Sequence, residues 1–235
     1  PRADLNGEDV SSKLKILSTL CFNSFLNNNI HVEGIKNIDR DDIVNANKLG
    51  YKIKLLGFSE LIKNSIYQRV HPTLIKKSSY IASIDGVLNA VIVEGKPVGQ
   101  SVIQGEGAGP AATTSALVSD ISSILRGNIK FPFSISNNQR KNLIFKDINE
   151  RNFSAYLRFE VLDKPGVLSN ITSVFSANKV SVKRLIQNPN KNKGSSSIII
   201  ITHSAKDKSL NKILKSVDKK SYILKKSKLI RIDDN

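Results

Sequence analysis

The sequence predicts an α+β protein: a mixed sheet with helices, followed by a ferredoxin-like βαββαβ unit. Three observations predict it. Apolar residues recur at helical spacing near the start of the chain. Short runs rich in Val, Ile and Tyr stand between Tyr51 and Gly105. From Ala155 onward, strand and helix patterns alternate in the order β, α, β, β, α, β.

Asp9 to about Phe25 reads as a helix, with Leu14, Leu17, Leu20, Cys21 and Phe25 as its buried stripe. Asn6-Gly7 before it reads as a turn, and the run Asn27 to Asn29 stops it. IHVEGI (residues 30–35) is a short strand or turn. IDRDDIVNANKLG (38–50) reads as a helix, with Asp39 as N-cap, acids in the first turn and Gly50 at its C-terminal end. Strands are expected in YKIKLLGFSE (51–60), NSIYQRVHPTLI (64–75), YIASI (80–84), AVIVEG (90–95) and KPVGQSVIQG (96–105), forming a sheet covered by two or three helices. GEGAG (105–109) is a loop. Thr113 to Leu125 is a helix with Ala116, Leu117, Ile121 and Ile124 on its apolar side and Thr113 and Thr114 as its caps. FPFSISNNQRKN (131–142) loses all periodicity and reads as a linker.

The final part is regular. YLRFEVL is a strand, DKPG a turn and VLSNITSVFSAN an amphipathic helix; VSVKRLIQ is a second strand. NPNKNKGSS is a polar hairpin loop, SIIIITH a third strand, KSLNKILKSV a second helix and SYILKKSKLIRID the last strand. Domain boundaries follow at residues 1–133, a linker at 134–152, and 153–235.

Composition narrows the function classes. The formal net charge is +16, but lysines supply 27 of the 36 basic residues and are scattered. No basic strand is rich in the aromatic residues on which bases stack, so the charge reads as a solubility property and not as a nucleic-acid site. One cysteine excludes an internal disulfide and makes a reducing cytoplasm the expected compartment. With one Cys and three His, a Cys/His zinc site is disfavoured and no metal is expected. The densest apolar run, Ile198 to Ile201, is far short of a membrane span.

Three clusters carry chemistry. Asp9 and Lys13 stand one helical turn apart; on their own they read as an exposed i,i+4 pair worth about 0.3 kcal/mol. GEGAG on its own reads as a strand-to-helix turn. Asp163 to Gly166 reads as the turn before a helix, whose first backbone N–H groups can hold a carboxylate.

Taken in order, DLNGEDVSSKLKIL, EGIKNIDRDDIVNANKLGYKIKLLG, RVHPTLI with DGVLNAVIVEG, and GEGAGPAATTSALVSDI resemble homoserine dehydrogenase. DKPGVLSNITSVFSANKVSV resembles an ACT regulatory domain. The resemblance implies NAD(P)-dependent interconversion of L-homoserine and L-aspartate 4-semialdehyde, with NADP or NAD as cofactor. It implies Lys13 as the proton donor and acceptor on the substrate oxygen. Asp9 would hold Lys13 or bind the substrate amino group, and Asp4 matches a further acid of the motif. Gly109, with Gly107 beside it, would face the nicotinamide. In the ACT part it implies an effector, L-threonine, at Asp163, Gly166, Val167, Leu168 and Asn178, and a homo-oligomer formed by sheet-edge pairing. Tyr51 and Lys54 read as sheet and interface residues, His71 as structural and His31 as a surface residue without a partner.

The family's nucleotide-binding domain should supply a strand, a G-x-G-x-x-G turn and a helix; that pattern does not occur near Pro1. With no methionine anywhere, the chain reads as a fragment of a longer protein; the fragment lacks this domain and is expected to be inactive alone. The competing reading is a non-catalytic amino-acid sensor built on the ACT domain. The combination of Asp9, Lys13 and GEGAG favours the enzyme.

Overall fold

A computed structural model describes residues 2–25, 30–128, 133, 135–189 and 194–233. The chain divides into two compact units, one of Pro1–Lys76 with Lys141–Asn235 and one of Lys77–Arg140.

In the first unit, α1 (Arg2–Asn6) and α2 (Glu8–Phe22) meet at Gly7, which has a φ of 81°. That left-handed conformation suits glycine, and a Cβ here would press on Val32 and Val70 at 3.1 and 3.2 Å. α2 ends earlier than predicted: Asn23 adopts a left-handed cap at φ 57° and its N–H bonds to Thr19 O. The expected stop at Asn27 to Asn29 lies outside the described residues. The buried face of α2 is Ser11, Leu14, Ser18 and Thr19. Leu20, Cys21 and Phe25 are exposed, because the short helix turns only its Leu14 side toward the sheet.

β1 (His31–Val32) is followed by α3 (Arg40–Lys48), where Asp39 and Asp42 form a reciprocal capping box. β2 (Tyr51–Ile62) and β3 (Ser65–Lys76) make a twelve-residue antiparallel hairpin, and α2 and α3 both pack on β2. The other edge of β3 is shared in succession by β6 (Ile144–Phe145), by β1 at Arg69–Val70, and by the last strand of the chain at Thr73–Leu74.

The βαββαβ unit consists of β7 (Asn152–Leu162), α5 (Val167–Ala177), β8 (Val182–Pro189), β9 (Ser195–Thr202), α6 (Asp207–Val217) and β11 (Lys228–Ile232); a two-residue strand, β10 (Ala205–Lys206), pairs with β7. Residues 190–193 of the expected polar hairpin loop lie outside the described residues. The strand order β11-β7-β9-β8 is that of the ferredoxin-like fold, and β11 runs parallel to β3. Among the described residues, nine strands therefore share one continuous sheet. Ile198 to Ile201 explain why this region is so apolar. Ile198 and Ile200 enter the core with Ile171, Phe175 and Ile213, while Ile199 and Ile201 face Ala46 of α3 and Tyr156. A strand buried on both faces reads as an unbroken apolar run.

The second unit holds a 3-10 turn at Tyr80–Ser83, the hairpin of β4 (Leu88–Gly95) with β5 (Gly99–Glu106), and α4 (Pro110–Leu125). YIASI is thus a turn and not a strand: the Ser83 hydroxyl donates back to Tyr80 O, and Gly86 at φ 65° redirects the chain two residues after it. Among the described residues, β4 and β5 pair only with each other, so the expected single sheet is two. α4 starts three residues earlier than predicted, at Pro110. Gly109 is its N-cap, and Thr113 and Thr114 lie inside the helix; the Thr113 hydroxyl donates to Gly109 O at 2.9 Å. No residue of α4 is buried, and Leu117, Val118 and Ile121 are more than half exposed. Residues 131, 132 and 134 of the expected linker lie outside the described residues.

Candidate functional site

The Asp9–Lys13 pair forms as the spacing requires. Lys13 Nζ donates to Asp9 Oδ2 at 2.8 Å on the exposed side of α2, with about half of each side chain open to solvent. Asp4 lies one turn before the Gly7 joint, and its carbonyl accepts the Gly7 N–H at 3.2 Å. The joint is seated against a strap formed by Glu33, Gly34 and Ile35. The Glu33 N–H bonds to Val70 O at 2.8 Å and the Ile35 N–H to Leu5 O at 2.9 Å. Gly34 lies so close to α1 that a Cβ on it would stand 2.2 Å from Leu5 O. Ion pairing biases the direction of Lys13, and the strap holds the start of the helix that carries it.

Behind the strap is a buried charge cluster that the sequence reading did not single out. Arg231 on β11, 1% exposed, grips Asp207 with Nε at 2.6 Å and Nη2 at 3.1 Å, and its Nη1 donates to Glu33 Oε2 at 2.9 Å. The other Glu33 oxygen, Oε1, meets His31 Nε2 at 2.7 Å, so His31 has a partner after all. Burial acts to raise the Glu33 carboxyl, but the hydrogen bond from His31 and the charge of Arg231 override it and hold the group at about 2. His71 is buried between the Phe58 and Phe153 rings, and desolvation with the nearby Arg231 charge depresses it to about 3. It is a neutral structural residue, as expected.

A second cluster anchors α3. Arg158 on β7 bonds to Asp42 at 2.8 Å, Asp39 at 2.5 Å and Glu160 at 2.7 Å. Asp42 is completely buried, which pushes its carboxyl up against the pull of Arg158. A strand Arg inside an apolar run, as in YLRFEVL and KLIRI, was the available signal for both clusters: such a residue is buried only when paired.

In the second unit the two glycines play different parts. Gly109 has φ 125° and ψ 155°, a conformation open to glycine alone, with empty space where a side chain would stand. Gly109 is exposed, so its backbone is open to approach. At Gly107 a Cβ would fall 1.2 Å from Asn89 Nδ2, the end of an exposed side chain that can swing aside, so space alone does not demand glycine there. Asn89 was not anticipated.

The ACT turn lines a cavity of about 480 Å³. Gly166, at φ 86°, is the N-cap of α5, and the Asp163 N–H bonds to Gly194 O at 2.9 Å. The Val167 N–H is engaged by Lys164 O at 3.3 Å; among the described residues, no loop or cap acceptor takes the Leu168 N–H. Gln187 enters the same cavity from β8 and donates to Asp163 Oδ1 and Ser196 Oγ, each at 3.3 Å. Asn178 is not in the cavity lining: its side chain donates to Val174 O at 2.9 Å and caps α5.

Comparison with known proteins agrees with this arrangement. The homoserine dehydrogenase family model matches residues 1–122, and the ACT domain model matches residues 155–220. A homoserine dehydrogenase of Helicobacter pylori is 33% identical across 100% of this chain and 55% of its own length; that of Neisseria gonorrhoeae is 35% identical across 99% and 55%. The crystal structure of a homoserine dehydrogenase from Thiobacillus denitrificans superposes with a TM-score of 0.89 at 32% identity, covering all of this chain and 55% of that one. The chain thus spans about half the length of the curated relatives it matches. Since the family model covers more than half of the residues, including Asp4, Asp9, Lys13 and GEGAG, the chain belongs to the homoserine dehydrogenase family.

Proposed function

We propose that this chain forms the substrate-binding and regulatory part of a homoserine dehydrogenase that interconverts L-homoserine and L-aspartate 4-semialdehyde. The supporting observation is the Lys13–Asp9 pair, held at 2.8 Å on a helix whose entry turn is locked from behind. The nicotinamide nucleotide, NADP or NAD, supplies the hydride when bound, with the open backbone at Gly109 as its contact on this chain. Reduction of the aldehyde leaves negative charge on its oxygen, and Lys13 delivers a proton there from Nζ. In the reverse direction Lys13 accepts the proton of the alcohol. Asp9 aims Nζ or receives the substrate ammonium group, and Asp4 adds negative charge at the amino-acid end. Residues 1–133 are assigned to this catalytic part, 134–152 to a linker and 153–235 to the ACT domain.

The ACT cavity takes an amino acid, L-threonine by family resemblance. Its carboxylate is held at the Leu168 N–H, and Gln187 lines the same cavity. The working protein is a homo-oligomer in the cytoplasm. The test is Lys13→Ala in a full-length dehydrogenase polypeptide containing this chain. kcat should fall about 10²- to 10⁴-fold while the circular dichroism spectrum is unchanged. An unchanged kcat refutes the role of Lys13.

A further inference from the structure

The entry turn of the Lys13 helix is held from behind by residues that are remote in sequence. Gly7 rests on Val32, Val70 and the Glu33 carbonyl; Gly34 abuts Leu5 and Asn6; and the Ile35 N–H bonds to Leu5 O. The strap is therefore the floor under the α1–α2 joint. The Glu33 side chain fastens that floor. One of its oxygens takes His31 Nε2 at 2.7 Å, and the other takes Arg231 Nη1 at 2.9 Å. Arg231 is itself immobilised by two bonds to Asp207, which is 1% exposed and opens α6.

We propose that Glu33, clamped by Arg231 of the ACT strand β11, is a positioning residue for Lys13, so that the regulatory domain is wired to the catalytic helix through one partly buried ion pair. This rests on the dehydrogenase reading above. The direction of Lys13 Nζ depends on where α2 starts, and α2 starts on the strap. A helix shift of about 1 Å is enough to lower a positioned proton transfer on the order of 10²-fold. Asp207 belongs to the first turn of α6, so a movement of that helix has a direct ionic route, Asp207 to Arg231 to Glu33, to the catalytic turn.

The test is a double-mutant cycle in the full-length dehydrogenase polypeptide, measuring kcat, the KM for the nicotinamide nucleotide, and the melting temperature. Glu33→Ala should lower kcat about 10- to 100-fold and leave the nucleotide KM within about 2-fold. Glu33→Gln keeps an acceptor toward Arg231 and should recover most of the loss. Combined with Lys13→Ala, Glu33→Ala should add little further loss, because both act through the same proton. Full additivity, an unchanged kcat in a folded Glu33→Ala protein, or a parallel collapse of nucleotide affinity each overturn the proposal. If Glu33→Ala melts below the assay temperature, the cycle is run with Glu33→Gln, where a smaller but equally non-additive loss is expected. An unchanged kcat in Lys13→Ala alone overturns the dehydrogenase mechanism instead, so the two failures are told apart.

Discussion

Gly34→Ala is the sharpest single test of the strap. The glycine is needed for space: a Cβ would stand 2.2 Å from Leu5 O, 2.7 Å from Asn6 Cα and 2.9 Å from Asn6 C. All three are backbone atoms, so no flexible side chain can swing aside. An ordinary C···O contact is about 3.3–3.6 Å, so α1 must retreat by about 1 Å. Overpacking of this kind costs about 1–3 kcal/mol. The Ile35 N–H to Leu5 O bond is stretched with it, for about 1 kcal/mol more. The lower unfolded-state entropy of alanine returns about 0.4–1 kcal/mol. The net loss is about 2–3 kcal/mol, or roughly 5–10 °C in melting temperature for a chain of this size. Thermal unfolding followed by circular dichroism reads it directly. Gly95→Ala is the control, since nothing lies within 4 Å of its Cβ position. A Gly34→Ala protein melting within about 2 °C of the parent would show that the strap does not bear on α1.

Acid should dissolve the Glu33 clamp. The group sits at about 2 when folded against 4.5 when free, so its contribution is present above about pH 4.5 and lost as pH falls toward 2. At full value that shift is about 3 kcal/mol; with the side chain 39% exposed, solvent screening leaves about 1–2. Urea midpoints of the parent and Glu33→Gln should therefore differ at pH 7, draw together below pH 4.5 and converge near pH 2, whereas a constant gap would contradict the assigned titration. Arg158→Met strands the fully buried Asp42 carboxylate and should destabilise by about 3–5 kcal/mol in urea unfolding, with Asp42→Asn in the same chain restoring much of it. A single-variant loss below about 1 kcal/mol would mean that Asp42 is protonated or rehydrated at no cost.

What could be read in the sequence and what could not divide along a physical line. Local signals were legible: the Asp39 cap with its partner at Asp42, the left-handed glycines at Gly50 and Gly166, and the i,i+4 geometry of Asp9 and Lys13 depend on residues within four positions of one another. The βαββαβ order was legible because each strand and helix is long enough to show its period. Short elements were not: Tyr80–Ser83 spans four residues, too few to distinguish a strand from a turn. The end of α2 was misplaced because Leu20 and Phe25 continue the apolar period after the chain has turned at Asn23.

The larger gap is the ionic wiring, and it has one cause. Arg231 meets Glu33 across 198 positions, and Arg158 meets Asp42 across 116. Composition and periodicity carry no information about such pairings, since each residue is an ordinary charge until the sheet brings β11 beside β3 and β7 beside α3. These bonds reinforce the β11–β3 pairing and the shared apolar cluster that join the ferredoxin-like half to the Lys13 half within one unit. A charge is tolerated inside a continuous sheet only if its partner is delivered by the fold, and removing one partner leaves the other stranded. The two arginines therefore do more than satisfy burial. They tie β11 to Glu33 and β7 to Asp39 and Asp42, so a displacement of either strand acts directly on the strap beneath the Lys13 helix or on the cap of α3.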